Sequence, residues 1–341
     1  MKRNRLIQSF IMLSLAGLLI GCSEDDKNKE QVREEQAVTS SSTIPANSST
    51  SVTKASKPKA FTDYDTYLAY IKQVPNFEVY YRSIFHLDQL ADGKANIPTD
   101  KLLNIYKKLL TDYDYHVIKA FPLVKYGTYN NELKFVEGYS EALTEEQRTN
   151  LANVAVTDWN GNETFATSLK AIQIGETDHD TFKSYVESGR YFKKGEYKLA
   201  DKAAYIPVVL GSEYKAIYQI GDVFQLELIT ELMNFKVVGF YKEQTVVAMG
   251  VGGIEPLNLD TMITMPYFIP TYEAKTEGEK YQQGLLISEL TAGYMKLNMD
   301  ASDLSDDVYD AFVREFEQLV EQYLPKNVYT IPYWPVTIEW P

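Results

Sequence analysis

Apolar side chains between residues 205 and 240 come in short runs interrupted by glycine. Tyr205 to Leu210 (Y-I-P-V-V-L) is too short for a helix, rich in β-branched residues and closed by Gly211, which predicts a buried strand. Glu213 to Tyr218 is long enough for one helical turn, and Ile220-Gly221-Asp222 is turn chemistry. Val223 to Ile229 and Phe235 to Phe240 then alternate or run apolar, as paired strands do. Two further stretches carry a different rhythm. In the first, Glu78 to Leu87 reads as a strand. Thr99 then caps a helix with Leu102, Leu103, Tyr106, Leu109 and Leu110 on one face, and Tyr115 to Val124 reads as a second strand. In the other, Gly284 to Leu290 and Tyr294 to Leu297 read as strands. Ser305 caps a helix through Leu324 with Val308, Phe312, Phe316, Leu319, Val320 and Tyr323 as its buried stripe, and Asn327 to Ile331 closes the unit as a strand.

The start of the chain is of another kind. Lys2, Arg3 and Arg5 precede a short apolar run ending in Leu19-Ile20-Gly21-Cys22, which fits a bacterial lipoprotein signal with its lipobox over residues 1–22. Cys22, the sole cysteine, is the expected lipidation site and leaves no thiol for a disulfide or a nucleophile. Residues 23–60 are Ser/Thr-rich and charged, with almost no large apolar residue, so they cannot bury enough surface to offset ordering entropy. They read as a flexible tether of roughly 30–40 Å average span. Removing Lys2, Arg3 and Arg5 with the signal takes the formal charge from −13 to −16. That acidity disfavours a nucleic-acid partner and leaves membrane attachment to the diacylglyceryl-cysteine.

The segments first described resemble the extracytoplasmic core domain of MacB-type ABC transporter permeases. The resemblance rests on Gly189-Arg190-Tyr191-Phe192, Pro207-Val208-Val209-Leu210, Ile220-Gly221-Asp222 and Phe235-Lys236-Val237-Val238-Gly239, in that order, with Leu259 to Pro266 beyond them. It implies an α+β fold in which a porter-like lobe is built from two split β-α-β units, residues 61–140 and 271–341, around an inserted β-rich lobe of residues 141–270. The motif positions Gly189, Arg190, Phe192, Pro207, Val208, Val209, Leu210, Gly221, Asp222, Val237, Val238 and Gly239 are then structural. The departures are as informative. A lipobox stands where the family has a transmembrane helix, no run of 18 apolar residues follows it, and no G-x-x-x-x-G-K-[ST] occurs.

Candidate chemistry is sparse. Asp178-His179-Asp180 is the tightest group of potential metal ligands, yet neighbours in a loop seldom point at one ion, and only His86 and His116 remain as partners. No G-x-S-x-G is present, and Gly250-Val251-Gly252-Gly253 leads into Ile254-Glu255-Pro256 and not into a helix. No catalytic residue, metal or cofactor is expected. Tyr329, Tyr333, Trp334 and Trp340 have two readings, a terminal strand on the sheet or an interaction edge, as does the Met-rich stretch from Met249 to Pro270, core or adaptable surface. The expectation is a non-enzymatic lipoprotein on the outer face of the cell membrane of a Gram-positive cell. It would serve an ABC export or peptide-sensing complex through contact with the permease or its ATPase complex. The alternative is a free-standing ligand-binding or sensing lipoprotein with a cleft between two lobes.

Overall fold

A computed structural model of the protein describes residues 78–82, 98–158, 161–248, 256–297, 305–326 and 335–338. The signal, the tether and Cys22 lie outside them, as do Gly250 to Gly253, Asn327 to Ile331 and the aromatic residues Tyr329, Tyr333, Trp334 and Trp340.

Strand β1 (Glu78–Arg82) is followed by helix α1 (Thr99–Asp112) and strand β2 (Asp114–His116). Helix α1 buries Leu102, Ile105, Tyr106 and Leu109. Leu110, expected in that stripe, is 40% exposed, and Ile105 holds the inner position. The cap is Pro98 with no side-chain capping bond, and Thr99 is already helical. Near the other end, β17 (Tyr294–Leu297) leads through a helix at Asp306–Glu321 to β18 (Pro335–Ile338). That helix starts as expected, with the Ser305 hydroxyl accepting from the Val308 amide. Its inner residues are Phe316, Leu319 and Val320, with Leu324 buried just past its end, while Val308 is exposed. The four strands form one antiparallel sheet in the order β18-β1-β17-β2. Each unit thus has a strand of the other between its own two strands, the split β-α-β arrangement. Both ends of the chain build this sheet, and everything between β2 and β17 is inserted into it.

The insert begins with β3 (Ile118–Ala120) and β4 (Leu123–Tyr126), which the sequence reads with the preceding strand as a single element. A short helix α2 (Glu145–Thr149) and β5 (Val154–Thr157) precede β6 (Glu163–Leu169) and β7 (Ala171–Ile174). Strand β3 pairs with β7 and β4 with β6 in one unbroken register, so the four segments are a single bent ladder. Past helix α3 (His179–Ser184) come β8 (Val186–Gly189), β9 (Lys198–Leu199), β10 (Ile206–Leu210), β11 (Val223–Leu228) and β12 (Glu231–Tyr241). A small hairpin, β13 (Val246–Ala248) with β14 (Pro256–Asn258), leads to β15 (Ile263–Pro266) and β16 (Ile269–Pro270). From β7 the sheet runs through β15, β10, β12 and β11 to β4. Because β7 continues β6 and β6 pairs with β4, that path returns on itself. The sheet curls into a closed barrel with mixed parallel and antiparallel ladders, which leaves no free edge along its ring.

Period-2 alternation fills this barrel. Ile206, Val208 and Leu210, Leu226 and Leu228, Met233, Phe235 and Val237, Ile263 and Met265, and Leu169 with Ala171 form one core. Each such side chain contributes about 1.5–3 kcal/mol on burial. The opposite face of the same strands, with Ile172, Ile174, Val209 and Val238, packs under Phe182, Tyr191, Phe192 and Tyr197 as a second cluster. Met262, Met265, Tyr267 and Phe268 are all buried, so the Met-rich stretch is core where it is described.

One expected strand is a helix. Residues Glu277–Glu289 form α4, not a strand over Gly284 to Leu290. Thr276 and Glu279 make a reciprocal capping box that starts it. Lys202 joins it to β12 by bonding Glu279 at 2.7 Å and Glu231 at 2.6 Å. The helix buries Leu285, Leu286 and Ile287 together, with Leu286 in the barrel core, so its apolar run is continuous and its period is hidden. The helix beyond it, Asp306–Glu321, is α5. Its Glu315 accepts from the Tyr113 hydroxyl at 3.2 Å, and Phe312 meets the Tyr113 ring edge-on at 6.2 Å.

A carboxyl lodged beside the barrel gives a testable pH effect. Glu137, whose amide donates to the Ser168 carbonyl at 2.9 Å, has its carboxyl pushed up to about 7 by burial. An acid raised on folding stabilises below its unfolded value, and that stability is lost as pH rises through the folded value. Glu137→Gln should therefore stabilise the protein at pH 8 by about 1–3 kcal/mol and change it little at pH 4, read by urea denaturation at both pH values.

Candidate functional site

The resemblance-bearing segments meet where β12 changes neighbours. Along its first half β12 pairs with β11 as far as Val223 opposite Lys236, and beyond Gly239 it pairs with β8. Between these ladders Val238 is an extra residue, lying opposite the step from Val208 to Val209 on β10. Such a bulge bends a strand and re-aims its groups. Here two successive carbonyls serve the two partners: Val237 accepts from the Gly221 amide at 2.8 Å, and Val238 accepts from the Arg190 amide at 2.9 Å.

Glycine is required at this crossing for two reasons. Gly189 has φ +78°, and a Cβ there would lie 2.3 Å from the Val238 carbonyl oxygen. A Cβ on Gly239 would lie 2.6 Å from the Arg190 oxygen. The backbones of β8 and β12 thus approach more closely than side chains permit. Gly221, at φ +100°, supplies the turn that brings Ile220 back over Gly189.

The result is a shallow concavity of about 400 Å³ lined by Gly189, Arg190, Ile220, Gly221, Lys236, Val237 and Val238. Ile220, in that lining, is 51% exposed, and Ile217 and Val223, three residues to either side of it in sequence, are 37% and 53% exposed. Single exposed apolar residues are ordinary, and three within seven positions make this turn a candidate contact surface. Arg190 is not a free charge there. Its guanidinium donates twice to Glu196, at 2.8 and 2.7 Å, and once to the Tyr191 carbonyl at 2.9 Å. Burial pushes Glu196 up, but the bonds from Arg190 and from the Lys193 amide hold its carboxyl below the usual range.

The remaining motif residues have other places. Pro207, Val208, Val209 and Leu210 are buried on β10, Val208 and Leu210 inside the barrel and Val209 outside it. Phe192 is buried against the Tyr191 ring at 4.2 Å. Asp222 shapes its turn by accepting from the Gln219 amide at 2.8 Å. Of the residues named from sequence, Gly189, Arg190, Gly221, Val237 and Val238 come together, and Gly239 supports them from behind. Ile217, Ile220 and Val223 carry the exposed surface but read in the sequence as turn or strand residues, because their facing outward depends on which partner β12 takes.

A second polar cluster lies away from the concavity. Asp178 parts from its two neighbours, and His179 Nδ1 lies 3.0 Å from Oδ1 of Asp180. Asp178 turns inward to accept from His116 at 2.9 Å, while His179 reaches the Phe192 carbonyl at 2.9 Å and Asp180 is exposed. Among the described residues no group of three or more His, Cys, Asp or Glu is placed to hold a metal ion, and no helix is long and apolar enough to cross a membrane. No family model matches the chain, and no curated protein is similar to it.

Proposed function

We propose that the protein is a membrane-anchored lipoprotein of the extracytoplasmic face that works by contact with an ABC transporter complex, and not by catalysis. The supporting observation is convergence. Three segments separated by up to some fifty positions, 189–190, 220–221 and 237–238, line one concavity that includes the exposed Ile220. Those same segments carry the likeness to the outer domain of MacB-type permeases. The partner we infer is the permease's outer domain or its ATPase-bearing complex, reached from a lipid anchor at Cys22.

The ligand-binding alternative needs a cleft between the four-stranded sheet and the barrel. That junction is filled by Val117, Ile118 and Tyr294, all essentially inaccessible, so contact is the reading we prefer. A photoreactive residue at position 220 of the full chain, activated in native membranes, should capture a permease. The same probe at Glu146, exposed on α2, should not. Equal capture from both positions, or none from 220, would remove the proposal.

A further inference from the structure

His116 occupies the junction between the two halves of the fold. It ends β2 of the four-stranded sheet, and its Nδ1 lies 2.9 Å from Oδ1 of Asp178, in the turn after barrel strand β7. Its Nε2 lies 3.2 Å from Oδ1 of Asp114, two residues back on its own strand. Asp178 is almost wholly buried, whereas Asp114 is half exposed, with His116 between them at 15%. One residue further along, the Gly175 amide donates to the Val117 carbonyl at 2.7 Å, the backbone bond that joins β2's end to the barrel. We propose that Asp114, His116 and Asp178 form a proton-operated latch that sets how firmly the four-stranded sheet is held against the barrel.

Two carboxylates, Asp178 and Asp114, favour the protonated imidazole. In the turn the Thr177 hydroxyl bonds Asp178, and on β17 Tyr294 holds the register position opposite His116. Tyr106 faces Glu176 and Asp178 from α1, and Tyr191 and Tyr197 face Asp178 from the barrel side. On β17, Lys296 holds the register position opposite Asp114. Burial opposes a charge on His116, but the bonds to Asp178 and Asp114 outweigh it and hold the imidazole above its ordinary 6.5. A group raised on folding stabilises fully below its unfolded value, and that contribution is lost as pH rises through the folded value. Protonated, His116 carries a donor on each ring nitrogen, with Nδ1 bonding Asp178 and Nε2 at ion-pair distance from Asp114. Neutral, it can donate to only one and leaves the buried Asp178 facing an uncharged ring.

The test is amide hydrogen exchange and imidazole NMR on the full chain between pH 5.5 and 8.5. With three histidines in the sequence, His116→Gln assigns the signal by its loss. The protection of the Gly175 amide, corrected for intrinsic exchange, should fall as His116 deprotonates, by about tenfold for each pH unit that His116 is raised. Asp114→Asn, at an exposed position, should keep the fold and move both the titration and the loss of protection to lower pH. In His116→Gln the protection should no longer depend on pH. Unchanged protection across the wild-type titration overturns the latch. So does a fall at the same pH in Asp114→Asn, which decides the matter even where the glutamine variant fails to fold.

Discussion

Phe235→Ala should destabilise the protein by about 3–5 kcal/mol, the largest loss expected from a single truncation in the barrel. Phe235 is fully buried on β12, lies in the barrel core, and stacks on Phe224 at 5.8 Å. A closed barrel cannot collapse onto the vacated volume without breaking its ladders, so both the lost transfer energy and the cavity term apply. Val223→Ala, on the neighbouring strand β11 but 53% exposed, should stay within about 0.5 kcal/mol. Urea denaturation of both variants makes the comparison. A cost under about 1 kcal/mol for Phe235 would mean that the strands form an open sheet with solvent at this position.

Gly189→Val is the second large effect, and it acts through the backbone. The position has φ +78°, and a β-branched side chain there is strained by about 1–2 kcal/mol before any contact is counted. The new Cβ would also lie 2.3 Å from the Val238 oxygen and 2.8 Å from the Gly239 Cα, both backbone atoms that cannot rotate away. Overpacking of that kind adds about 1–3 kcal/mol, so the total should reach about 2–5 kcal/mol. The concavity should be lost with it, since β8 must withdraw from β12. Gly195, with nothing within 4 Å of its notional Cβ, is the control, and Gly195→Ala should be close to neutral. Near-neutral behaviour at position 189 would show that β8 does not approach β12 as described.

The elements that the sequence shows clearly are those whose cause is local. Ile206–Leu210 is a strand because five buried apolar residues end at a glycine, and the turn at Ile220 to Asp222 follows from Gly221's tolerance of positive φ. The Ser305 cap is equally local. What the sequence hides is set at long range. Tyr115 to Val124 reads as one strand, yet Val117 crosses from the sheet to the barrel and Phe121-Pro122 bends the strand there without a change of register. Helix α4 is buried on so much of its surface that its 3.6-residue period disappears, and only the Thr276–Glu279 capping box marks it. Barrel closure depends on pairing residues near 120 with those near 170, which no local pattern encodes. The candidate site divides the same way. Its glycines stand out, but the exposure of Ile220 and Val223 depends on the point where β12 exchanges β11 for β8. His116 is conspicuous as one of three histidines, yet its partner lies 62 positions further on.

The claim that the apolar turn at Ile220 is a contact surface is tested most directly by charging it. Ile220→Asp with Val223→Asp places two carboxylates on residues half exposed already, so the fold should persist with an unchanged melting temperature. Co-purification of permease or ATPase from solubilised membranes, quantified against the unsubstituted chain, should fall at least tenfold, because each carboxylate must be desolvated on contact. Undiminished co-purification from a well-folded double variant would contradict the account and place any partner elsewhere on the molecule.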